Sequence, residues 1–536
     1  MANHQGSAKP DRSETKAYLV GGGIASLAAA AFLIRDGHVL GQNITIFEEL
    51  DRIGGSLDGA GSPETGYVLR GGRMFEREYR CTFGLFSDIP TLDKKQTVTQ
   101  EILEWNEIIK TGSKSRLVRA GRKIDTPEFG LSERHILTLE RLAIEPEALL
   151  GTSSIEDQFD ASFFETNFWL MWCTTFAFQP WHSAVEFKRY LVRFVHMVDG
   201  FNQLKGIMRT VYNQYDSLVR PLKAWLDERG VVFVMNARVT DLMFNEESAS
   251  KTVERIFLQQ GNMTEEIVLG ADDIVIVTLG SMTEASSLGS SSRAPELRGK
   301  RDGGAWALWE RIALGRPEFG EPSAFTDHIE ESKWISFTST QRDPAFFNLM
   351  RDFTGNVPGE GGLVTFADSN WLMSIVLPYQ PHFIGQPADV NVFWGYGLYV
   401  DRPGNFVKKP MAQCSGDEIM TEVLGHLRIE VEAKRILDTT ITIPCMMPFI
   451  TSQFLRRAKG DRPSVVPSGW RNLGFAGQFV EVPDDVVFTV EYSIRTAQAA
   501  VCELLDLPTT PPPVYKGEFN PRVLFKAFAA LHDLRG

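Results

Sequence analysis

Three consecutive glycines, Gly21-Gly22-Gly23, separate a short apolar run, Ala17-Tyr18-Leu19-Val20, from an alanine-rich run between Ile24 and about Arg35. Residues without a side chain in the middle of so apolar a stretch fit a strand, a tight turn and a helix packed closely against the strand. The turn reads Gly21-Gly22-Gly23-Ile24-Ala25-Ser26, a GxGxxG pattern with Ser26 in place of the last glycine. Serine is small enough to keep helix and strand in contact. Gly21, Gly23, Ile24, Ala25 and Ser26 are therefore expected to carry the main chain past a pyrophosphate held at the positive end of the helix.

The same stretch invites another reading. Ala17 to Ile34 is uncharged and long enough to resemble a membrane span, and Lys9, Arg12 and Lys16 precede it as they would in a signal peptide. The glycines argue for the strand, turn and helix, and no other stretch is apolar over such a length. A second strand, Ile44-Thr45-Ile46-Phe47, runs into Glu48 at about the spacing expected of the acid that accepts a hydrogen bond from a ribose hydroxyl, with Glu49 the competing choice.

The chain has 536 residues, more than a single core usually organises, so two or more domains are expected. Its net charge of −13 argues against a nucleic-acid backbone as partner, which is bound through Lys and Arg. Five scattered cysteines without CxxC spacing suggest a reducing compartment and offer no metal site, so the chain is read as cytoplasmic.

After the second strand comes Asp51-Arg52-Ile53-Gly54-Gly55-Ser56. This glycine doublet resembles that of two-dinucleotide-binding-domain flavoproteins such as amine oxidases and carotenoid desaturases, which implies FAD rather than NAD, with Gly55 and Ser56 beside it. Asn472 to Gln478 reads as a strand entering a glycine turn before a helix around Thr489 to Leu505, and in such flavoproteins this distant segment, here Gly477 and Gln478, closes over the flavin. Val231 to Val234, Asn236 to Val239, and Ile274 to Thr278 followed by Gly280-Ser281 look like further strands of the cofactor lobe, placing Val239 and Ser281 on the cofactor. The fold class is thus α/β, a Rossmann-like flavoprotein with an inserted substrate domain. A discontinuous FAD-binding domain spans 14–90, 225–290 and 440–505, with substrate-binding regions at 91–224 and 291–439 and a helical tail at 506–536.

Longer strings narrow the resemblance: Arg70-Gly71-Gly72-Arg73, Thr174-Thr175-Phe176-Ala177-Phe178, Trp181-His182-Ser183-Ala184, Tyr212-Asn213-Gln214-Tyr215, Gly280-Ser281-Met282-Thr283-Glu284, Gln380-Pro381-His382-Phe383-Ile384-Gly385 and Gly477-Gln478-Phe479-Val480-Glu481. Together, and in this order over nearly the whole chain, they resemble the oleate hydratases, the myosin-cross-reactive-antigen family. The resemblance implies FAD and the addition of water across the cis-9 double bond of unsaturated fatty acids to give 10-hydroxy products. Such chemistry needs a proton donor aimed at one alkene carbon, a group orienting water at the other, an apolar channel and a polar end-stop for the carboxylate.

Phe163 to His196 is dense in aromatic side chains, each more often core than pocket when taken singly. Tyr190 falls where the family has the tyrosine proposed to protonate the alkene. Gln214 and His382 match residues that grip the substrate carboxylate, and Arg70, Gly71, Gly72 and Arg73 match a loop that approaches the flavin. Two departures stand out. Met74 occupies the position of the glutamate that orients water, which leaves Glu76 or Glu78 to take over, or Tyr190 with a main-chain carbonyl. Val376 and Pro378 stand where the family commonly has a Thr and an Asn, so two hydrogen-bond donors are missing from the carboxylate end.

After Leu507-Pro508-Thr509-Thr510-Pro511-Pro512-Pro513, a stiff linker, Pro521 to Leu534 reads as a helix with an apolar stripe at Val523, Leu524, Phe525, Phe528 and Leu531, and with Arg522, Lys526 and Arg535 elsewhere. It either docks on its own protein or touches a membrane at the inner face. About sixteen residues precede the first strand, fewer than in many relatives whose longer arm contributes to dimers, so a monomer is expected and a homodimer is the alternative. The rival functions are a flavin oxidoreductase and a non-catalytic fatty-acid-binding flavoprotein.

Overall fold

The computed structural model describes residues 12–247 and 250–533. Lys9 and, in the expected tail, Leu534 and Arg535 lie outside the described residues. The Ala17–Ile34 run divides as its glycines require, into the strand Ala17–Val20 and the helix Ile24–Arg35. Among the described residues no helix is long and apolar enough to cross a membrane.

The first strand lies at the centre of a five-stranded parallel sheet in the order Leu473–Ala476, Ile274–Thr278, Ala17–Val20, Ile44–Phe47, Val232–Val234. Strands covered on both faces need apolar residues at every position, and Ala17-Tyr18-Leu19-Val20 is buried throughout. The helix Ile24–Arg35 is buried from Ile24 to Leu33, and its alanines let the helix Val490–Leu504 pack across it. The Asn236–Val239 stretch does not join this sheet. It begins a separate three-stranded antiparallel sheet, Ala237–Asn245, Thr252–Gln260 and Met263–Val268.

A second, eight-stranded sheet has the order Ser287–Leu288, Thr440–Met447, Trp334–Gln341, Asn391–Gly397, Met373–Val376, Leu363–Phe366, Ser115–Arg119, Arg122–Asp125. Thr440–Met447 runs in this sheet, and the chain re-enters the parallel sheet only at Leu473. The hairpin Gly59–Ser62 and Gly66–Leu69 docks on the second sheet. Its Tyr67 and Leu69 N–H groups donate to Thr340 Oγ1 (2.8 Å) and Thr338 Oγ1 (3.0 Å) there, which fixes the start of the Arg70-Gly71-Gly72-Arg73 segment that follows it.

The two glycine turns touch. Gly54 N–H donates to Gly22 O at 2.9 Å, and Gly55, with φ at +55°, would place a Cβ 3.2 Å from Gly23 Cα. A β-branched residue there meets both left-handed backbone strain and crowding. Gly55→Val is expected to lower stability by about 2 kcal/mol, read as a fall in Tm of several degrees, and an unchanged Tm contradicts the packing described.

Candidate active site

Where the first helix meets the sheet, a cavity of about 1580 Å3, counting its open mouth, is walled by Gly21, Gly23, Ile24, Ala25, Glu48, Glu49, Gly55, Ser56, Val239, Ser281, Gly477 and Gln478. A Cβ on Gly23 would meet nothing within 4 Å, so the main chain there faces open space, and the helix that Gly23 starts has no side-chain cap and no acid in its first turn. Uncapped N–H groups at an open helix N-terminus fit the pyrophosphate of a dinucleotide.

Glu48 accepts from Gly22 N–H (2.7 Å) and Leu50 N–H (2.8 Å), while Glu49 is held by Arg238 and by Gly304 N–H (2.9 Å). Ser26 is not on this wall. It lies beneath the turn, its Oγ 3.0 Å from Thr278 Oγ1. Gln478 lines the cavity, but its side-chain amide is taken up by Thr489 O, Ser493 Oγ and Phe488 N–H, which fix the loop before the last helix. Glu284 is also present, with Oε2 accepting from Trp306 N–H at 3.0 Å and Oε1 unpartnered; burial lifts its carboxyl to about 8.

Arg70 is shared between this cavity and a second, apolar one of about 1120 Å3, again counting its mouth. Arg70 is fixed by Asp58 at 3.0 Å. Gly71, Gly72, Arg73, Met74, Glu76 and Tyr190 face the apolar cavity, and neither Gly71, Gly72 nor Arg73 lines the dinucleotide cavity. Of the aromatic stretch, Trp172, Phe176, Tyr190 and Phe194 reach the cavity. Phe163, Phe168, Trp169 and Phe187 pack on one another as core.

Tyr190 sits on the helix Ala184–Arg193, 1 % exposed, edge-on to Phe176 and Phe178 with ring centroids 5.0 Å away in each case. Its hydroxyl donates to Val487 O at 2.5 Å. Burial, followed by Tyr79, Glu186 and Asp485, raises its pKa well above the ordinary tyrosine value, so the proton stays on. Met74 contributes only a thioether. Burial alone would raise the Glu76 carboxyl, but His196 and Arg193, with the Glu78 N–H, bring it below the usual range. Arg193 Nη2 lies 2.7 Å from Oε1, His196 Nε2 3.4 Å from Oε2, and the Glu78 N–H donates to Oε2 at 2.7 Å. Glu78 itself is half-buried, pairs with Arg80 at 2.8 Å and is not on the cavity wall.

Beyond Gly72, Arg73, Met74 and Trp394 lies a third, smaller cavity of about 510 Å3, which brings together Gln214, Val376, Pro378 and His382. Gln214 and His382 meet because Asn213 donates to His382 O through its main-chain N–H (2.9 Å) and through Nδ2 (3.0 Å). Gln214 directly precedes a π-helical turn, Tyr215–Val219, a geometry common at functional sites. Burial, with a smaller contribution from the Arg209 charge, brings the His382 pKa down to about 3, so the ring is neutral at ordinary pH.

The chain matches the MCRA family over residues 14–502. It belongs to the MCRA family. An oleate hydratase of Streptococcus pyogenes serotype M49 (strain NZ131) is 39% identical over 539 residues, covering 98% of this chain and 91% of that protein. A linoleate hydratase of Lactiplantibacillus plantarum is 32% identical over 569 residues, covering 97% and 99%. Among solved structures, putrescine oxidase bound to putrescine superposes with a TM-score of 0.54 at 14% identity, covering 92% of this chain and 99% of that one. Cyclohexylamine oxidase from Brevibacterium oxydans IH-35A does so with a TM-score of 0.54 at 14% identity, covering 93% and 99%. At that identity the likeness establishes the fold alone, the Rossmann-like flavoprotein fold expected from the paired glycine turns.

Several residues of this MCRA-family site carry no signal in the sequence. Trp394, which stands 2.4 Å from where a Cβ on Gly72 would be, arrives from a strand more than three hundred residues on. Arg193 and Arg209 look like ordinary surface cations until the fold encloses them. The helix bearing Tyr190 is moored from behind by Glu186, whose Oε1 lies 2.9 Å from Arg462 and 3.0 Å from Arg457. Burial alone would raise the Glu186 carboxyl, but Arg462, Arg457 and Arg189 bring it down to about 2. A folded-state pKa below the unfolded one contributes stability at higher pH that is lost as pH falls from about 4.5 toward about 2. Glu186→Gln is expected to cost about 3 kcal/mol at neutral pH and to flatten the acid limb of Tm against pH in that window. A variant whose acid limb follows the parent's removes Glu186 from the mooring.

Proposed function

We propose that this chain is an FAD-dependent hydratase that adds water across the cis-9 double bond of oleate-like fatty acids to give 10-hydroxy acids. The observation that carries the reading is the placement of Tyr190, a buried phenol whose hydroxyl donates to Val487 O when no substrate is bound, on the wall of an apolar cavity that adjoins the dinucleotide cavity at Arg70. The hydratase names of the two relatives support it. FAD would be held by the Gly21 to Gly23 turn, Glu48 or Glu49, Gly55 and Ser56, and the segment ending at Gln478. When bound, it supplies a polarising wall to the site with no net electron transfer.

The apolar cavity takes the alkyl chain and excludes bulk water, so an isolated double bond meets only the donors aimed at it. The Tyr190 O–H bond breaks as its proton goes to one alkene carbon, and water attacks the other. The proton that the attacking water loses restores the tyrosine, so the sum is one alkene and one water giving one alcohol. A high phenol pKa favours that last step and keeps the donor protonated between turnovers. With Met74 unable to accept a proton, the Glu76 carboxylate is the acceptor assigned to orient the water. It stays ionised because Arg193 and His196 face it.

The tail helix Pro521–Leu531 packs on the segment Val195–Gln203 next to the apolar cavity and leaves Leu524, Phe525 and Phe528 exposed. This exposed apolar stripe supports the reading of a chain that draws its substrate from a membrane through peripheral contact.

Incubation with oleate and FAD in 18O-labelled water is expected to give a lipid with label in a hydroxyl at carbon 10 and no oxygen uptake. Oxygen uptake or desaturation favours an oxidoreductase, and bound but unchanged lipid a binding protein. Tyr190→Phe is expected to lower kcat by about 100-fold or more with Tm within a few degrees of the parent, and Glu76→Gln to lower kcat by about 10-fold or more, measured well below a Tm that falls because the buried pair with Arg193 is halved. Unchanged turnover removes the residue concerned from the mechanism.

A further inference from the structure

The third cavity contains a cation for which the fold provides no counter-charge. Arg209 lines this cavity together with Gln214 and His382, near enough for its charge to act on the His382 ring. One amino group donates to Gly361 O at 3.2 Å, and the other, Nη2, is enclosed without a hydrogen-bond partner. No carboxylate among the described residues pairs with it. Its main chain is rigid, since Asn106 accepts from Arg209 N–H (2.9 Å) and donates to Arg209 O (2.8 Å), so the side chain is presented from a fixed point.

A purely structural arginine looks different here. Arg116 has no acid partner either, but its amino groups reach Phe201 O (2.8 Å), Thr175 Oγ1 (2.7 Å) and Met171 O (3.4 Å), which makes it a clamp between segments. Arg209 makes a single side-chain bond and, on the cavity wall, leaves Nη2 without a partner. An enclosed guanidinium without an anion is costly, and a carboxylate entering the cavity would relieve that cost through charge and through the two-pronged match of the planar groups.

We propose that Arg209 is the cation that anchors the substrate carboxylate and so selects fatty acids over neutral lipids of the same chain length. This rests on the reading of the chain as a fatty acid hydratase and adds to it the residue that fixes the head group. Val376 and Pro378 offer no side-chain donor at this end, and Gln214 and His382 supply neutral donors only. Arg73 also lines this cavity, but both its amino groups are engaged, donating to Gly72 O and Ser56 O at 3.3 Å each, which leaves the Arg209 guanidinium as the cation with a free donor to discriminate by charge. Burial pulls its pKa down to about 10, which leaves it charged at neutral pH. Anchoring there lets the alkyl chain run past Gly72 and Met74, which line both cavities, toward Tyr190.

The test is direct binding of oleate and of oleyl alcohol to the FAD-loaded protein by calorimetry, with turnover measured separately. The parent is expected to prefer oleate. Arg209→Gln is expected to weaken oleate by about 10- to 100-fold, to leave oleyl alcohol within about threefold, and to raise KM far more than it lowers kcat. Arg209→Lys should recover part of the preference by restoring the charge. Equal binding of both lipids by the parent overturns the proposal without any variant, as does Arg209→Gln binding oleate like the parent or losing both lipids alike. Charge-selective binding without hydration would leave Arg209 as the anchor and sink the hydratase reading. Hydration that is indifferent to Arg209→Gln would do the reverse.

Discussion

Three cavities share one short partition, the main chain from Arg70 to Met74, and the arrangement depends on how thin that partition is. Arg70 faces the dinucleotide cavity and the apolar one, while Gly72, Arg73 and Met74 face the apolar cavity and the Arg209 cavity. Gly71 has φ at +134°, which only glycine adopts without strain, and Gly72 lies so close to the Trp394 ring that a single methyl group would collide with it. The partition between the three cavities stays this thin only because two residues here have no side chain.

The partition is held from both sides by polar contacts that have few alternatives. On one side the threonines of the strand Trp334–Gln341 take the N–H groups of Tyr67 and Leu69 and fix the hairpin from which Arg70 emerges. On the other, buried ion pairs hold the Tyr190 helix at both ends. Glu186 meets Arg457 and Arg462 near its start, and Arg193 meets Glu76 and Asp485 at its close, at 2.7 and 3.5 Å. Such pairs add little net stability against an apolar alternative, yet each is strongly destabilising when halved, so they specify position more than they add strength.

Much of the fold was legible because its signals are local. A glycine turn between two apolar runs, a second glycine doublet after the next strand, and a capped helix after Gly477 each follow from residues within a few positions of one another. The site was legible only in part. Tyr190, Gln214 and His382 stood out through the strings around them, and Met74 as a break in one. Only part of the aromatic stretch Phe163 to His196 lines the apolar cavity, and the sequence could not say which part, because apolar residues look the same whether they line a cavity or fill a core. Ser26 and Gln478 show the opposite: both lie in cofactor motifs, and their side chains are spent on holding the fold.

By itself the sequence determined the strand, turn and helix that start the chain, the parallel sheet they imply, and the family through its long strings, since backbone conformation at glycine and periodic apolarity act over a few residues. Only the tertiary structure decided which charges are enclosed. Arg209 gains its meaning from Asn106, Gly361 and His382, and Glu76 from Arg193 and His196, neighbours that lie about a hundred residues or more away in sequence. The cost of burying a charge depends on everything that surrounds it, and no local stretch of sequence contains that information.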